Sequence, residues 1–339
     1  MEQRARTAGA ALQTLWYGGS PAGWALAPLG GLYCAVVTLR RALYRTGLLP
    51  AQEVGVPVVV VGNVTVGGTG KTPLVIWLVE VARRAGYRPG VVSRGYGGRA
   101  GSWPQQARPD SDPLMVGDEP VLIARRARCP VAVAPDRVAA ARALVAHGGC
   151  DLVVADDGLQ HLRLHRDVEI AVVDGERRFG NGLCLPAGPL REPRGRLASV
   201  DLVVARGPAG RGEYPMAYRP GPLRRVRDDS PDGAPRAAAG VPVHGVAGIG
   251  NPEPFFQGLR QAGFEVRPHP FPDHHPYAAG DLDFPDGAPA IMTEKDAVKY
   301  RPFAGSRHWY LPIEADVSPY LEPRFLELLE NRRHGQEAA

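Results

Sequence analysis

The residues most able to do chemistry begin at Gly62-Asn63-Val64-Thr65-Val66-Gly67-Gly68-Thr69-Gly70-Lys71-Thr72-Pro73. The string follows Val58–Val61, a wholly apolar, β-branched run, and leads into a helix-like stretch, Pro73–Ala85. Strand, glycine-rich turn, Lys-Thr and helix are the parts of a phosphate-binding loop. Gly67, Gly68 and Gly70 let backbone N–H groups turn onto phosphate oxygens, and the helix N-terminus adds its dipole. Lys71 would reach the β- and γ-phosphates, and the Thr72 hydroxyl would ligate Mg²⁺. Thr65 stands where the common pattern has its first Gly. The nucleotide-binding candidates are therefore Thr65, Gly67, Gly68, Thr69, Gly70, Lys71 and Thr72. ATP fits better than GTP, because no Asn-Lys-x-Asp follows a later strand; Thr293-Glu294-Lys295-Asp296 has the wrong spacing.

Acids stand where such a loop needs a metal. The apolar run Leu152–Ala155 ends in Asp156-Asp157-Gly158-Leu159-Gln160-His161, and acids at the carboxyl tip of a parallel strand open into the ligand crevice. One of this pair is a good candidate Mg²⁺ ligand, with helix-capping or turn acids the lesser alternative. Gly117-Asp118-Glu119-Pro120 puts two more acids before a helix, where capping is an equal explanation. Phe271-Pro272-Asp273-His274-His275 is a polar knot after an expected strand, and an Asp/His pairing across domains would make a proton acceptor. Only three of the 40 basic residues are Lys: Lys71, Lys295 and Lys299. All three fall inside strand-end motifs, which makes their retention by chance less attractive.

Those motifs need elements to hold them. Apolar runs recur at Gly90–Ser93, Val131–Ala134, Leu152–Ala155, Ile170–Val173 and Leu202–Ala205, with helix-like stretches such as Arg137–Ala146 between several of them. Alternation of this kind predicts a parallel, doubly wound α/β sheet of the P-loop NTPase type. The segment 209–240 is rich in Pro, Gly and Arg and lacks periodicity, as a hinge would. A second, smaller α/β unit is expected over 241–335, with strands near Val243–Ile249 and Ala290–Thr293 and a closing helix near Tyr320–Arg332. The nucleotide-binding unit is then 51–208.

The remaining segment, 1–50, carries the charge asymmetry. The chain of 339 residues has 40 Lys+Arg against 35 Asp+Glu, a net charge of +5. Five Arg (Arg4, Arg6, Arg40, Arg41 and Arg45) and no acid lie between Gln3 and Gln52, and the rest of the chain balances. A local basic device follows, not a nucleic-acid surface. Between Thr7 and Leu39 no residue is charged, but Pro21, Pro28 and several Gly argue against a clean membrane span. From about Leu29 to Leu49, Leu32, Val36, Leu39 and Leu43 recur at helical spacing with Arg41 and Arg45 opposite. That pattern suits a helix lying in a membrane surface, or an amphipathic helix packed on its own domain. The four Cys (Cys34, Cys129, Cys150 and Cys184) have neither C-x-x-C nor zinc spacing, so reduced thiols are expected.

Eight strings in order resemble the tetraacyldisaccharide 4′-kinase family, the lipid A 4′-kinases of Gram-negative bacteria. They are G-N-V-T-V-G-G-T-G-K-T-P, S-R-G-Y-G-G-R, V-G-D-E-P, A-P-D-R-V, A-D-D-G-L-Q-H, P-A-G-P-L-R-E-P, F-P-D-H-H and T-E-K-D-A-V-K, spanning Gly62 to Lys299. The resemblance implies transfer of the ATP γ-phosphate to the 4′-hydroxyl of a disaccharide-1-phosphate lipid, giving lipid IVA. It implies a cytoplasmic-face, inner-membrane location through the N-terminal helix and two domains with nucleotide between them; no obligate protein partner is inferred. Carried over by motif, Asp118 is the catalytic base assisted by His274, with His275 the neighbouring alternative. Lys71 and Thr72 keep their loop roles; Glu119, Asp156 and Asp157 match acids of the Mg²⁺ site; Arg137 and Arg191 match basic residues of the cleft. The rival class is a P-loop switch or partner-regulated ATPase. Its partitioning type carries a signature Lys where this chain has Val66, and its metallochaperone type needs a Cys/His cluster that the Cys spacing does not supply.

Overall fold

The computed structural model describes residues 12, 14–18, 21–235 and 240–337. Arg4 and Arg6 of the basic N-terminal segment lie outside the described residues. A nine-stranded sheet organises most of the chain, in the order β14-β8-β7-β6-β1-β5-β2-β4-β3. Its strands are β1 (Val58–Gly62), β2 (Pro89–Ser93), β3 (Gln105–Ala107), β4 (Val131–Val133), β5 (Leu152–Ala155), β6 (Val168–Asp174), β7 (Leu202–Arg206), β8 (Tyr214–Pro220) and β14 (Ile313–Val317). Neighbours pair in parallel except for β3 with β4 and β14 with β8. This is the α/β, P-loop NTPase-like class that the alternating apolar runs predict.

The Val58–Val61 run shows why. Two-residue periodicity sends Val59 and Val61 into one core and Val58 and Val60 into another, and none of the four is more than 1% exposed. Both faces must therefore be covered. Helices α2 (Lys71–Arg84) and α3 (Asp118–Ala127) contribute to the first core, and α4 (Arg137–Gly148) contributes to the second. From β1 the chain crosses β5 to reach β2, then later returns to the other side of β1 as β6. That reversal opens a crevice at the carboxyl ends of β1 and β5, the place where such sheets take ligands.

A second sheet has the order β11-β10-β12-β13-β9, built from β9 (Arg224–Arg225), β10 (Val241–Ala247), β11 (Phe264–Pro270), β12 (Ala290–Thr293) and β13 (His308–Leu311). Helix α5 (Glu253–Gln261) packs on β11, and α6 (Glu294–Tyr300) follows β12 directly and meets α3 of the first unit. The segment 209–240, expected to be aperiodic, holds β8 in the first sheet and β9 in the second. After the second sheet, β14 and the closing helix α7 (Leu321–Glu337) return to the first, with Leu321, Phe325 and Leu329 wholly buried in its core. Short edge strands such as β9, with two residues, carry too little pattern to be seen in sequence.

The N-terminal helix runs over Ala27–Arg45. Its Gly30 is buried, and a Cβ there would lie 2.8 Å from the Cys184 carbonyl oxygen. Around it Tyr33, Cys34 and Val37 are partly covered. The opposite stripe, Leu29, Leu32, Val36 and Leu39, is more than half exposed at every position. The Arg41 side chain turns to Ser199 Oγ and Arg40 donates to the Gln160 carbonyl oxygen. The helix thus packs through its small and aromatic face, anchored at its flank by arginines, and presents its aliphatic face outward. Among the described residues no helix is long and apolar enough to cross a membrane.

Candidate active site

The glycine-rich loop and its helix follow β1. Gly67 and Gly70 take positive φ angles of 112° and 89°, which only Gly adopts without strain, and α2 begins at Lys71 with Thr72 in its first turn. The loop is held from outside. Val66 N–H donates to the Pro189 carbonyl, Arg191 N–H donates to the Val64 carbonyl, and Thr65 bridges Leu190. This pairing carries the Arg191 side chain to Asp157, with Nη1 3.1 and 3.2 Å from the two carboxylate oxygens. Lys71 Nζ lies 3.4 Å from Asp157 Oδ1 and donates to Asn63 Oδ1 at 3.2 Å. Burial works to raise the Asp157 carboxyl, but Lys71 and Arg191 outweigh it and hold it below the usual range.

Asp156 is in the opposite state. It is 2% exposed, Oδ1 has no partner, and Oδ2 has only Ser93 Oγ at 3.5 Å. Burial, reinforced by the negative charges of Glu119 and Asp157, pushes its carboxyl up to about 7. A buried acid with an unpartnered oxygen and two acidic neighbours favours a cation beside it. These residues fit Mg²⁺. Among the described residues no three His, Cys, Asp or Glu side chains form a ready cage. Mg²⁺ does not need one: it commonly takes one or two carboxylates and completes its shell with phosphates and water. Arg137 lies behind this group, buried, with Nη1 donating to the Ala134 carbonyl and Nε unpartnered. Burial lowers it to about 10 despite the attraction of Asp156 and Asp157.

The second unit supplies the other wall. His274 Nδ1 donates to Asp118, 2.9 Å from Oδ2 and 3.1 Å from Oδ1. Asp118 is the first residue of α3 and 4% exposed; His274 sits in a loop with a positive φ of 59°, a strained conformation for a non-glycine residue. Burial would raise the Asp118 carboxyl, but the His274 hydrogen bond and the Lys295 and Lys299 charges keep it low. The same hydrogen bond raises the His274 imidazole against its burial. Lys295 Nζ is 3.2 Å from Glu119 Oε1, 3.2 Å from Asp273 Oδ1 and 3.5 Å from His274 Nε2. His275 instead pairs with Asp281 at 3.2 Å, so of the two adjacent histidines it is His274 that faces Asp118.

The chain matches the tetraacyldisaccharide-1-P 4′-kinase family over residues 22–332. It belongs to that family. Relatives called tetraacyldisaccharide 4′-kinase include one from Nitrosococcus oceani, 51% identical over 93% of both chains. Another, from Alkalilimnicola ehrlichii, is 56% identical over 88% of this chain and 90% of its own. The crystal structure of LpxK from Aquifex aeolicus in complex with ATP superposes with a TM-score of 0.77 at 25% identity, covering 91% of this chain and 99% of that one.

Within this family's fold, the structure gathers the sequence candidates into one crevice with two sides. Lys71, Asp156, Asp157, Arg137 and Arg191 surround the loop, and Asp118, Glu119 and His274 cross from α3 to the second unit. Sequence reasoning overlooked Asn63. It is fully buried, its side chain accepts from Lys71 and lies 3.5 Å from Arg191 Nη1, and its carbonyl accepts from Gln160. Its signal was its position at the carboxyl tip of the central strand. Tyr96, whose ring centroid is 5.1 Å from that of His274, lies in the S-R-G-Y-G-G-R string, but nothing in that string pointed to His274.

Proposed function

We propose that this chain transfers the γ-phosphoryl group of ATP to the 4′-hydroxyl of a tetraacyldisaccharide 1-phosphate, forming lipid IVA in lipid A biosynthesis. What supports the reading is the Asp118–His274 pair, made where the first residue of α3 meets a loop of the second unit, next to Glu119, whose charge reaches Asp156 beside the phosphate loop. A switch ATPase has no use for a proton acceptor formed in this way. A sugar hydroxyl is a poor nucleophile and needs one.

The assignments follow the geometry. Asp118, a carboxylate at neutral pH, accepts the hydroxyl proton. The His274 N–H fixes that carboxylate's orientation and lets the pair share the added proton. Lys71 and the loop N–H groups of Thr65, Gly67, Gly68, Thr69 and Gly70 hold the phosphates. Arg191 and Arg137 offset negative charge in the cleft. Thr72, Glu119, Asp156 and Asp157 are the residues that would hold Mg²⁺. A Mg²⁺ ion held by them would supply positive charge to offset that of the transferring phosphoryl group. Closure of the second unit over the first excludes water from the γ-phosphate.

The exposed aliphatic stripe of the N-terminal helix supports a second part of the reading. We assign it to docking on the cytoplasmic face of the inner membrane, where a four-chain lipid substrate resides. Contiguous exposed apolar side chains beside arginines suit an anionic lipid surface.

The direct test supplies purified protein with labelled ATP, Mg²⁺ and a disaccharide-1-phosphate lipid. Labelled lipid product is expected, and Asp118→Ala or Lys71→Ala should each reduce it by at least about a thousandfold while the thermal melt stays cooperative. ATP hydrolysis stimulated by a protein partner, with no lipid product, would return the chain to the switch class.

A further inference from the structure

Helix α3 carries functional side chains at both ends of one face. Asp118 and Glu119 open it; Arg125 and Arg126 stand seven residues later, two turns along the same stripe and about 10 Å away. Both arginines reach across to the second sheet's unit and its connection. Arg126 Nη1 donates to both oxygens of Glu294, at 2.9 and 2.8 Å. Arg125 Nη2 donates to both oxygens of Asp229, at 2.9 and 2.8 Å. Asp229 also accepts from Arg301 and from the Tyr310 hydroxyl of the second unit, and holds a left-handed φ of 64° to do so.

Glu294 is the residue directly before Lys295. The first turn of α6 thus makes two contacts with α3: Glu294 to Arg126 at the far end, Lys295 to Glu119 at the catalytic end. Two contacts about 10 Å apart along α3 oppose sliding or rotation of α6 when the two units are together. The loop bearing His274 is tied in turn to Lys295 through Asp273.

We propose that the Arg126–Glu294 pair, seconded by Arg125–Asp229, is an interdomain latch that sets the register of α6 on α3 and thereby positions His274 on Asp118. These are positioning residues. They do not approach the reacting atoms, and their side chains are mostly covered, at 23% and 12% exposure for Arg126 and Glu294. In each pair one guanidinium nitrogen is shared between both oxygens of a carboxylate, a charge-assisted contact stronger than a neutral hydrogen bond. The proposal rests on the kinase reading above.

Arg126→Ala and Glu294→Gln test it in the full-length enzyme. Each is expected to lower kcat for lipid phosphorylation about tenfold while KM for ATP stays within about twofold, since the phosphate loop lies on other elements. Arg126→Lys, a point charge without the fork, should recover part of the loss. In a His274→Ala background, adding Arg126→Ala should cost less than about twofold, because nothing is left to position. Glu294→Gln keeps side-chain shape and one donor–acceptor contact, and serves if Arg126→Ala melts below the assay temperature. Unchanged kcat in both variants overturns the latch, as does an undiminished tenfold loss in the His274→Ala background. Failure of the unmodified enzyme to label the lipid defeats the kinase reading instead, so the two failures are distinguishable.

Discussion

At the scale of single residues, the site separates its carboxylates by environment. Asp157 and Asp118 are held charged by cations and hydrogen bonds, whereas Asp156, with an unpartnered oxygen and acidic neighbours, rests at about 7. A buried acid whose folded value lies above its unfolded one favours the fold at low pH, and that contribution is lost as pH rises through the folded value. Without divalent cation the protein should therefore lose stability between about pH 4 and pH 8, and Asp156→Asn should flatten that fall. Added Mg²⁺ should raise the melting temperature of the parent at pH 8 and leave Asp156→Asn nearly unmoved; scanning fluorimetry reads both. Residue identity was legible wherever a motif supplied it: Lys71, Asp156, Asp157 and Asp118 lie in strings of fixed spacing. Asn63 and Tyr96 belong to the same crevice, but Asn63 needs a buried carboxamide partner for Lys71 and Tyr96 a ring above His274. Neither relation has a sequence spacing.

Two elements invite direct tests. The phosphate loop ends at Gly70, where φ is 89° and the Tyr218 and Arg206 side chains press close. Gly70→Ala would place an L-residue in a left-handed conformation at about 1–2 kcal/mol and add a Cβ against the tyrosine. KM for ATP should rise at least about tenfold, with the rest of the fold retained. The N-terminal helix gives the second test. Leu32, Val36 and Leu39 form the exposed stripe; replacing all three by Ser removes apolar side chains worth about 1.5–3 kcal/mol each when buried. Binding to vesicles containing anionic phospholipid should fall at least about a hundredfold, with activity on detergent-dispersed substrate much less affected. Equal vesicle binding by the triple variant would remove the membrane role from this stripe. Spacing of Leu32, Val36 and Leu39 predicts a helix with an apolar face. Which way that face points was decided by Gly30, whose lack of a side chain lets the opposite face approach the Cys184 carbonyl.

For the molecule as a whole, the long-range connection that matters is the return of β14 and α7 to the first sheet. Phe325 is fully buried there, in the core that residues of α2 and β1 also enter. Phe325→Ala should cost about 3–5 kcal/mol, seen in denaturant unfolding, although the residue lies near the C-terminal end of a chain whose nucleotide loop begins at Gly62. Two strand connections, β8 to β9 and β13 to β14, cross between the sheets, and with the α3–α6 contact they bring His274 to Asp118 over a separation of 156 residues. By itself the sequence determined the local elements and their chemistry: β-branched runs make buried strands, glycines and Lys-Thr make a phosphate loop, and acids stand at strand tips. Those properties are encoded within a few residues, where backbone sterics and periodicity operate. Tertiary structure settled the choice of His274 over His275 that the motif had only favoured, and alone decided that the apolar helix stripe faces outward and that Arg125 and Arg126 bind the second unit. Each of those depends on side chains from distant segments competing for one place, and packing resolves the competition only when both sheets are formed.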